Sequence, residues 1–232
     1  MTLPVGVSTV RHNSSYQEYR QAVPRTATTA NAVLGVLALR PSWSTWELTK
    51  QLRRNLRFFW PRAESRIYAE TRALEERGLA RAERTYIGRR RRTVYSISDA
   101  GRRAVSEWLA TPPRRTSLEA EPVLRVVLSD LGTREQIYVA LEQLRQDADA
   151  ILSVGRVVGP EYLQRRAPFQ DQVHVRAFLF DFLSHFAFLL RDWADRTERQ
   201  VRRWESLDPV DRERDALATI EKVMRRYPPA TP

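Results

Sequence analysis

Residues 88–92 read Gly-Arg-Arg-Arg-Arg and form the densest cluster of charge in the chain. The cluster lies between two short runs, 79–84 and 93–97, of which the second alternates β-branched or aromatic residues with small polar ones, as a half-buried strand does. Because glycine adopts the positive φ of a tight reversal, the pattern predicts a β-hairpin with Arg89, Arg90, Arg91 and Arg92 at its tip. Duplex DNA is the obvious anion for such a tip, since neutralising its phosphates releases counterions. A solvated basic loop explains these residues equally well when they are taken alone.

The excess positive charge is confined to the amino-terminal half of the chain. The formal net charge is +11 over 232 residues. Residues 1–112 contain 20 basic and 9 acidic residues, whereas residues 113–232 contain 19 of each. This asymmetry favours a polyanion-binding module joined to a neutral one. All basic residues except Lys50 and Lys222 are arginine, which suits phosphate and guanine, although GC-rich coding would also raise arginine everywhere.

The composition argues against several classes of protein. Cysteine is absent, so disulfides and thiolate metal sites are excluded, and a cytoplasmic location is expected. No apolar run approaches the roughly 20 residues that span a bilayer, so no membrane partner is expected. Phosphate loops, dinucleotide fingerprints and nucleophile motifs are absent, so the chain is not expected to be an enzyme or to need a cofactor. No metal site is expected either, because His174 and His185 would lie about three helical turns apart.

Helical periodicity and capping signals place the arginine cluster in a small domain. Residues 1–28 are expected to be a flexible arm, and residues 29–112 a separate unit. Its first and third helices are expected over about 29–39 and about 62–77, the latter followed by Gly78. The second is expected to begin at the capping box of Ser44 and Glu47, and the fourth to run from the cap at Ser98 to Leu109. Trp43 and Trp46 are interpreted as packing residues. Three helices, a two-stranded hairpin and a closing helix describe a winged helix-turn-helix.

The third helix is expected to present a cationic face opposite an apolar stripe. The stripe consists of Ala63, Ile67, Thr71 and Leu74, and the opposite face of Arg62, Ser65, Ala69 and Arg72, with Arg66 beside it. In a winged helix-turn-helix this helix enters the major groove, its first turns contact bases and the hairpin lies on the backbone. An ordinary solvated helix face is the alternative, and Glu64 and Glu70 weaken the cationic signal.

Residues 113–227 are expected to form an α-helical domain, with a tail over 228–232. Helices are predicted over 122–130, about 169–204 and 209–226. A further helix is predicted to begin at the capping box of Thr133 and Gln136 and to be interrupted at Gly155, Gly159 and Pro160. The segment 169–204 is apolar on more than half its circumference, which favours burial against its own chain and against a second copy. Phe182, His185 and Trp193 are alternatively candidates for the lining of an effector pocket, although a packed dimer core explains them more simply.

The amino-terminal unit resembles the PadR family of bacterial transcriptional regulators. The matching blocks are Val33-Leu34-Gly35-Val36-Leu37, Trp46-Glu47-Leu48, Ile67-Tyr68 with Leu74-Glu75-Glu76-Arg77-Gly78-Leu79, and Arg92-Thr93-Val94-Tyr95 with Ser98-Asp99-Ala100-Gly101. The chain departs from the family pattern at Thr45, where a glycine usually precedes the aromatic residue. The resemblance implies that Tyr68 and the residues before it face DNA, and that the carboxy-terminal helices hold a homodimer.

These observations together predict a sequence-specific, DNA-binding transcriptional regulator, a homodimeric repressor that a small aromatic effector releases. The candidate contacts with double-stranded DNA are Thr45, Arg62, Ser65, Arg66, Tyr68, Arg72, Arg89, Arg90, Arg91 and Arg92. A sequence-tolerant architectural DNA-binding protein without a ligand switch is the alternative.

Overall fold

The computed structural model of the protein describes residues 25–204 and 209–226. The chain divides into two compact units, Met1–Thr116 and Ser117–Pro232, so the division falls four residues beyond the predicted one. Most of the predicted arm and the predicted tail lie outside the described residues. The first helix begins at Arg25, so residues 25–28 are helical rather than part of a flexible arm.

The first unit contains four helices and three strands. They are α1 (Arg25–Leu37), β1 (Trp43–Ser44), α2 (Thr45–Leu56), α3 (Glu64–Glu76), β2 (Ala80–Ile87), β3 (Arg90–Ile97) and α4 (Asp99–Leu109). Its core is formed by fully buried aliphatic side chains of the first three helices, including Leu34, Leu37, Leu48 and Leu74. Burying each of these side chains contributes about 1.5–3 kcal/mol, so the apolar stripes read from the sequence are what hold the three helices together.

Local capping signals act as the sequence predicts. The Ser44 hydroxyl accepts a hydrogen bond from the Glu47 amide, and the Glu47 carboxylate accepts one from the Ser44 amide, which starts α2. The Ser98 hydroxyl accepts from the Gly101 amide and starts α4. Gly78, with φ of +70°, follows the last residue of α3 by two positions and turns the chain into β2.

The hairpin is longer than predicted and its turn is shorter. Strands β2 and β3 are antiparallel and pair as far as Ile87 with Arg90, which leaves only Gly88 and Arg89 in the turn. Gly88 has φ of +58°, as a two-residue hairpin turn requires. The prediction of four arginines on one loop is therefore wrong, because residues 90–92 belong to β3. The sheet also has a third, unpredicted strand, β1, whose Trp43 pairs with Tyr95 and makes β3 the central strand.

The second unit is entirely helical in its described part. Its elements are α5 (Glu121–Val127), a 3₁₀ turn (Ser129–Leu131), α6 (Arg134–Leu163), a 3₁₀ turn (Gln170–Gln172), α7 (Val173–Arg202) and α8 (Pro209–Met224). The capping box of Thr133 and Gln136 starts α6 as predicted. The α6 and α7 helices are each 30 residues long and pack against each other. Ile137, Leu141 and Leu144 of α6 form a buried cluster with Ala194 and Val201 of α7.

The predicted interruption of α6 is wrong, because the helix runs through Gly155, Gly159 and Pro160 to Leu163. A Cβ placed on either glycine would lie 3.5 Å from the ring of Phe180 on α7. The two glycines thus lie directly against this ring, and packing on α7 stabilises a stretch whose intrinsic helix propensity is low. Pro160 lies in the last turn, where it removes a single backbone hydrogen bond.

Large apolar side chains remain exposed on two helices of the second unit. Its most exposed large side chain on α7 is Phe178, at 75%, and Phe180, Phe182, Phe188 and Leu189 of the same helix are also exposed, as are Leu217, Ile220, Val223 and Met224 of α8. In the described part of the chain, the segment Gln170–Arg202 is long and apolar enough to cross a bilayer by length and composition alone. That finding corrects the expectation that no segment approaches this limit. It is weak evidence for a membrane span, because core helices of soluble proteins meet the same criterion.

Candidate nucleic-acid interface

The helix α3 has the two opposite faces that the sequence predicts. Ile67, Thr71 and Leu74 are buried, and the Thr71 hydroxyl is satisfied by donating to the backbone carbonyl of Ile67 at 2.8 Å. The opposite face exposes Ser65, Ala69 and Arg72, with Arg66 beside them, and Tyr68 is half-buried. Ala63, expected on the inward stripe, is exposed because it is the N-cap residue and lies outside the helix. Glu70 is buried, so it does not interrupt the exposed cationic face.

Arg62 lies before α3 and not in its first turn, because the helix begins at Glu64. Its guanidinium lies over the ring of Trp60, 4.2 Å from the centroid, and donates to the carbonyl of Pro61 at 2.5 Å. Pro61 disfavours helical geometry in the residue before it and fixes its own φ, so the chain stays extended up to the N-cap. Arg62 therefore approaches any ligand of α3 from the turn that precedes the helix.

The cationic face of α3 is adjacent to the hairpin. Burial raises the pKa of the Tyr95 phenol in β3, and the carboxylate of Glu75 raises it further. The guanidinium of Arg72, on α3, and that of Arg84, on β2, both oppose this rise. Both cations therefore lie close to one phenol, and α3 packs directly against β2. The exposed arginines Arg72 and Arg84 thus lie near the contact between the helix and the hairpin.

Strand register divides the hairpin arginines between two faces. Side chains alternate along a strand and directly paired residues share a face, so Arg84, Tyr86 and Arg91 lie on the same face as Tyr95. Arg84, Tyr86 and Arg91 are exposed, as is Arg89 in the turn. Arg84 and Tyr86 were not predicted as contacts. Because side chains alternate between the two faces of a strand, these two residues can be identified as candidates only once the register of the hairpin is known.

Arg92 is held by the protein itself. Its guanidinium pairs with the Glu47 carboxylate at 2.5 Å, with the two side chains 34% and 29% exposed. A second arginine, Arg40, pairs with the same carboxylate at 2.9 Å. Burial would raise the pKa of Glu47, but hydrogen bonds from Ser44 and the Arg40 cation outweigh it and lower this pKa from 4.5 to about 2. Arg92 thus ties β3 to the start of α2, which makes it a positioning residue for the hairpin.

The start of α2 contributes a second surface that sequence reasoning assigned wrongly. Trp43 is buried, as expected of a packing residue, whereas Trp46 is 64% exposed. The ammonium of Lys50 lies 4.8 Å from the centre of the Trp46 ring. Thr45, between the two tryptophans, is half-buried. An exposed aromatic ring with a cation on it, one residue beyond Thr45, is a surface that can contact a sugar–phosphate backbone.

The three candidate effector residues of α7 do not share one environment. Trp193 packs against the buried core of the second unit. Phe182 is exposed and stacks on Phe186 with 6.5 Å between ring centroids. The His185 ring is 77% exposed and its Nδ1 lies 3.3 Å from the carboxylate of Asp181. An effector pocket built from Phe182, His185 and Trp193 stays a prediction.

Three helices, an arginine-bearing wing and a cationic third helix define the first unit as a winged helix-turn-helix protein. Comparison with known families gives the same result, since residues 33–107 match the family described as the transcriptional regulator PadR-like family. A protein of Mycobacterium tuberculosis (strain H37Rv) named as a probable transcriptional regulator is 32% identical over 93 residues. That similarity covers 40% of this chain, and the chain spans about half (47%) of the relative's length. The winged-helix unit of this chain is thus similar, over residues 33–107, to the PadR-like family of transcriptional regulators.

Solved structures resemble the chain over a larger part of its length. Bacillus subtilis PadR in complex with operator DNA has a TM-score of 0.61 at 18% identity, covering 75% of this chain and 99% of that one. A PadR-like regulator of Bacillus cereus has a TM-score of 0.61 at 15% identity, covering 75% and 98%. Bacillus subtilis PadR in complex with p-coumaric acid has a TM-score of 0.57 at 17% identity, covering 78% and 99%. At these identities the similarity establishes the fold.

Proposed function

We propose that the protein is a cytoplasmic, sequence-specific DNA-binding transcriptional regulator. The observation that carries this proposal is that α3, which exposes Ser65, Arg66 and Arg72, packs directly against the first strand of the arginine-bearing hairpin. A single duplex can then meet the helix in its major groove and the hairpin on the neighbouring backbone. The PadR-like match of residues 33–107 supports the same conclusion.

The candidate contacts fall into two groups by their position. Ser65 and Arg66 lie in the first turn of α3, where base edges are read, and Tyr68 and Arg72 follow along the helix. Arg62, Thr45 and the hairpin residues Arg89 and Arg91 are placed for phosphates, which position the duplex without reading it. Arg92 lies on the opposite face of the hairpin from Arg91, and Arg90 stays a predicted contact.

We propose that the second unit forms a homodimer through the exposed apolar side chains of α7 and α8. Exposed side chains such as Phe178 and Ile220 lose their contact with water when a second copy covers them. A symmetric dimer would present two winged helices to half-sites one helical turn, about 34 Å, apart. The solved PadR of Bacillus subtilis has been captured both with operator DNA and with p-coumaric acid. By analogy, this protein is a repressor that a small aromatic effector releases from DNA.

Discrimination between duplexes tests the proposal against the architectural alternative. A duplex recovered by selection, or from the DNA upstream of the protein's own gene, is labelled and titrated by fluorescence anisotropy beside a scrambled duplex of equal length. The regulator is expected to prefer the selected duplex by about 10³ or more at physiological salt. A ratio near one would contradict specific regulation and would favour a sequence-tolerant protein without a switch.

Substitution of Phe178 by Glu tests the dimer. Analytical ultracentrifugation is expected to show a dimer for the wild type and a monomer for Phe178→Glu, with an unchanged helical circular dichroism spectrum, because the charge would be buried in the interface. Leu109→Glu, which changes a similarly exposed apolar residue (69%, against 75% for Phe178) in the other unit, is the matched control and should remain dimeric. A dimeric Phe178→Glu variant would refute the assignment of this surface.

A further inference from the structure

The outer part of the hairpin is a ribbon of two strands. Strand β1 has two residues, and its pairing with β3 ends where Ser44 lies opposite Val94. Beyond this point, from Thr93 to Arg91, β3 pairs with β2 alone in the described part of the chain. Two-stranded ribbons twist more strongly than wider sheets and have little stability of their own. A contact from outside the ribbon is therefore needed to fix the direction in which its faces point.

The Glu47 carboxylate supplies such a contact. It pairs with Arg92 of the ribbon at 2.5 Å and with Arg40, in the turn between α1 and β1, at 2.9 Å. The Arg40 guanidinium in turn lies 3.7 Å from the centre of the buried Trp43 ring. A hydrogen bond from the Ser44 amide, at 2.8 Å, holds the carboxylate at the start of α2. Glu47 thus joins the ribbon to two segments that belong to the body of the first unit.

The arginine that Glu47 holds lies on the opposite face of the ribbon from Arg91. Because side chains alternate along a strand, a ribbon that directs Arg92 towards α2 directs Arg91 away from it. The face of Arg91 is also the face of Tyr95, whose phenol lies close to Arg72 of α3. Holding Arg92 therefore keeps Arg91 on the side of the unit where α3 exposes its cations.

We propose that Glu47 is a positioning residue for DNA binding, which through Arg92 fixes the rotation of the hairpin so that its arginines and α3 meet one duplex. The effect on DNA rests on the proposed function, whereas the effect on the hairpin does not. Charge alone predicts the opposite effect on DNA. A carboxylate repels phosphates and its removal releases two guanidiniums, so by charge alone Glu47→Gln would strengthen binding. Loss of the hairpin position weakens binding instead.

Spin labels on the DNA-free, full-length protein measure the position of the hairpin. The chain contains no cysteine, so labels attach only at two introduced sites, Arg89→Cys in the hairpin turn and Glu76→Cys at the exposed end of α3. Pulsed double electron–electron resonance is expected to give a narrow distribution of distances, which Glu47→Gln broadens or shifts. Arg92→Gln, which leaves the capping box of α2 intact, should act in the same way. Glu107→Gln, which removes an exposed carboxylate of α4, is the matched control and should leave the distribution unchanged.

Fluorescence anisotropy with a selected duplex, at several salt concentrations, measures the effect on DNA. Glu47→Gln is expected to weaken binding about tenfold and to reduce the slope of log affinity against log salt by about one to two, as the loss of one or two phosphate contacts requires. Glu107→Gln makes the same change in net charge and should not weaken binding. In a protein that already carries Arg89→Ala and Arg91→Ala, Glu47→Gln should cause no further loss, because the contacts that it positions are gone.

Two results would overturn the positioning role. One is a distribution of distances that is the same in the wild type and in Glu47→Gln, and the other is unchanged or tighter DNA binding by Glu47→Gln. A further tenfold loss in the protein without Arg89 and Arg91 would show that Glu47 acts on DNA by another route than the hairpin. Failure of the proposed function is a separate result, since the selected duplex would then bind no better than a scrambled one while the spin labels still report the position of the hairpin.

Discussion

The Glu47 carboxylate should contribute more to stability than any exposed ion pair of this protein, and Glu47→Gln tests that expectation. The carboxylate accepts hydrogen bonds from Ser44 and pairs with Arg40 and Arg92, so it joins the N-terminus of α2 to the central strand of the sheet. Glutamine keeps the size and one acceptor oxygen but loses the charge. The two arginines would then be left without their shared anion.

The magnitude follows from the lowered pKa of Glu47. A pKa of about 2 instead of 4.5 corresponds to a ceiling of about 3 kcal/mol, at about 1.4 kcal/mol for each tenfold change. The side chain is 29% exposed and solvent screens part of this interaction, so we expect about 1–2 kcal/mol. Because the folded-state pKa is lowered, this stability is fully present above pH 4.5 and is lost as the pH falls towards 2.

Urea unfolding of the wild type and of Glu47→Gln, followed by circular dichroism from pH 7 down to pH 3, measures this contribution. The difference in unfolding free energy should be about 1–2 kcal/mol at pH 7 and should shrink as the pH falls below 4.5. Glu121→Gln is the matched control, since the Glu121 side chain is 70% exposed in its pair with Arg125 and should lose at most about 0.5 kcal/mol. A difference that is equal at pH 7 and pH 3 would refute the electrostatic reasoning.

Three further predictions concern the DNA-reading unit. Arg66→Ala should weaken binding to a selected duplex by about 1–3 kcal/mol and relax the base preference at one position. A competition assay with single-base variants of the duplex measures this preference. An unchanged preference would remove Arg66 from the base contacts. The double substitution of Arg89 and Arg91 by alanine should weaken all duplexes alike and reduce the slope of log affinity against log salt by about two, and an unchanged slope would contradict phosphate contact. Gly101→Ala should lower the free energy of unfolding by about 1–3 kcal/mol, because the added Cβ would lie 2.1 Å from a backbone carbonyl oxygen. Gly35→Ala, whose added Cβ would meet no atom within 4 Å, should instead raise this free energy by about 0.5–1 kcal/mol. Thermal melting compares the two variants, and equal effects would refute the packing argument.

Sequence reasoning succeeded for features that depend on neighbours within a few residues of one another. The capping boxes at Ser44 and Thr133 form as predicted, because both partners lie within one helical turn. The positive φ of Gly78 and Gly88 follows in the same way from the local need for a sharp turn. The buried stripe of α3 and the charge asymmetry of the two halves are likewise properties of the order of residues alone.

Tertiary structure decided which residues that are distant in the sequence contact one another. Arg92 and Glu47 are 45 positions apart, and only the pairing of β1 with β3 brings the charge of the hairpin to the start of α2. The continuity of α6 past Gly159 depends on the ring of Phe180 on another helix. The physical reason is the same in both cases. Capping and turn formation are settled by short-range hydrogen bonds and backbone sterics, whereas packing and ion pairing between distant segments exist only after the chain has folded.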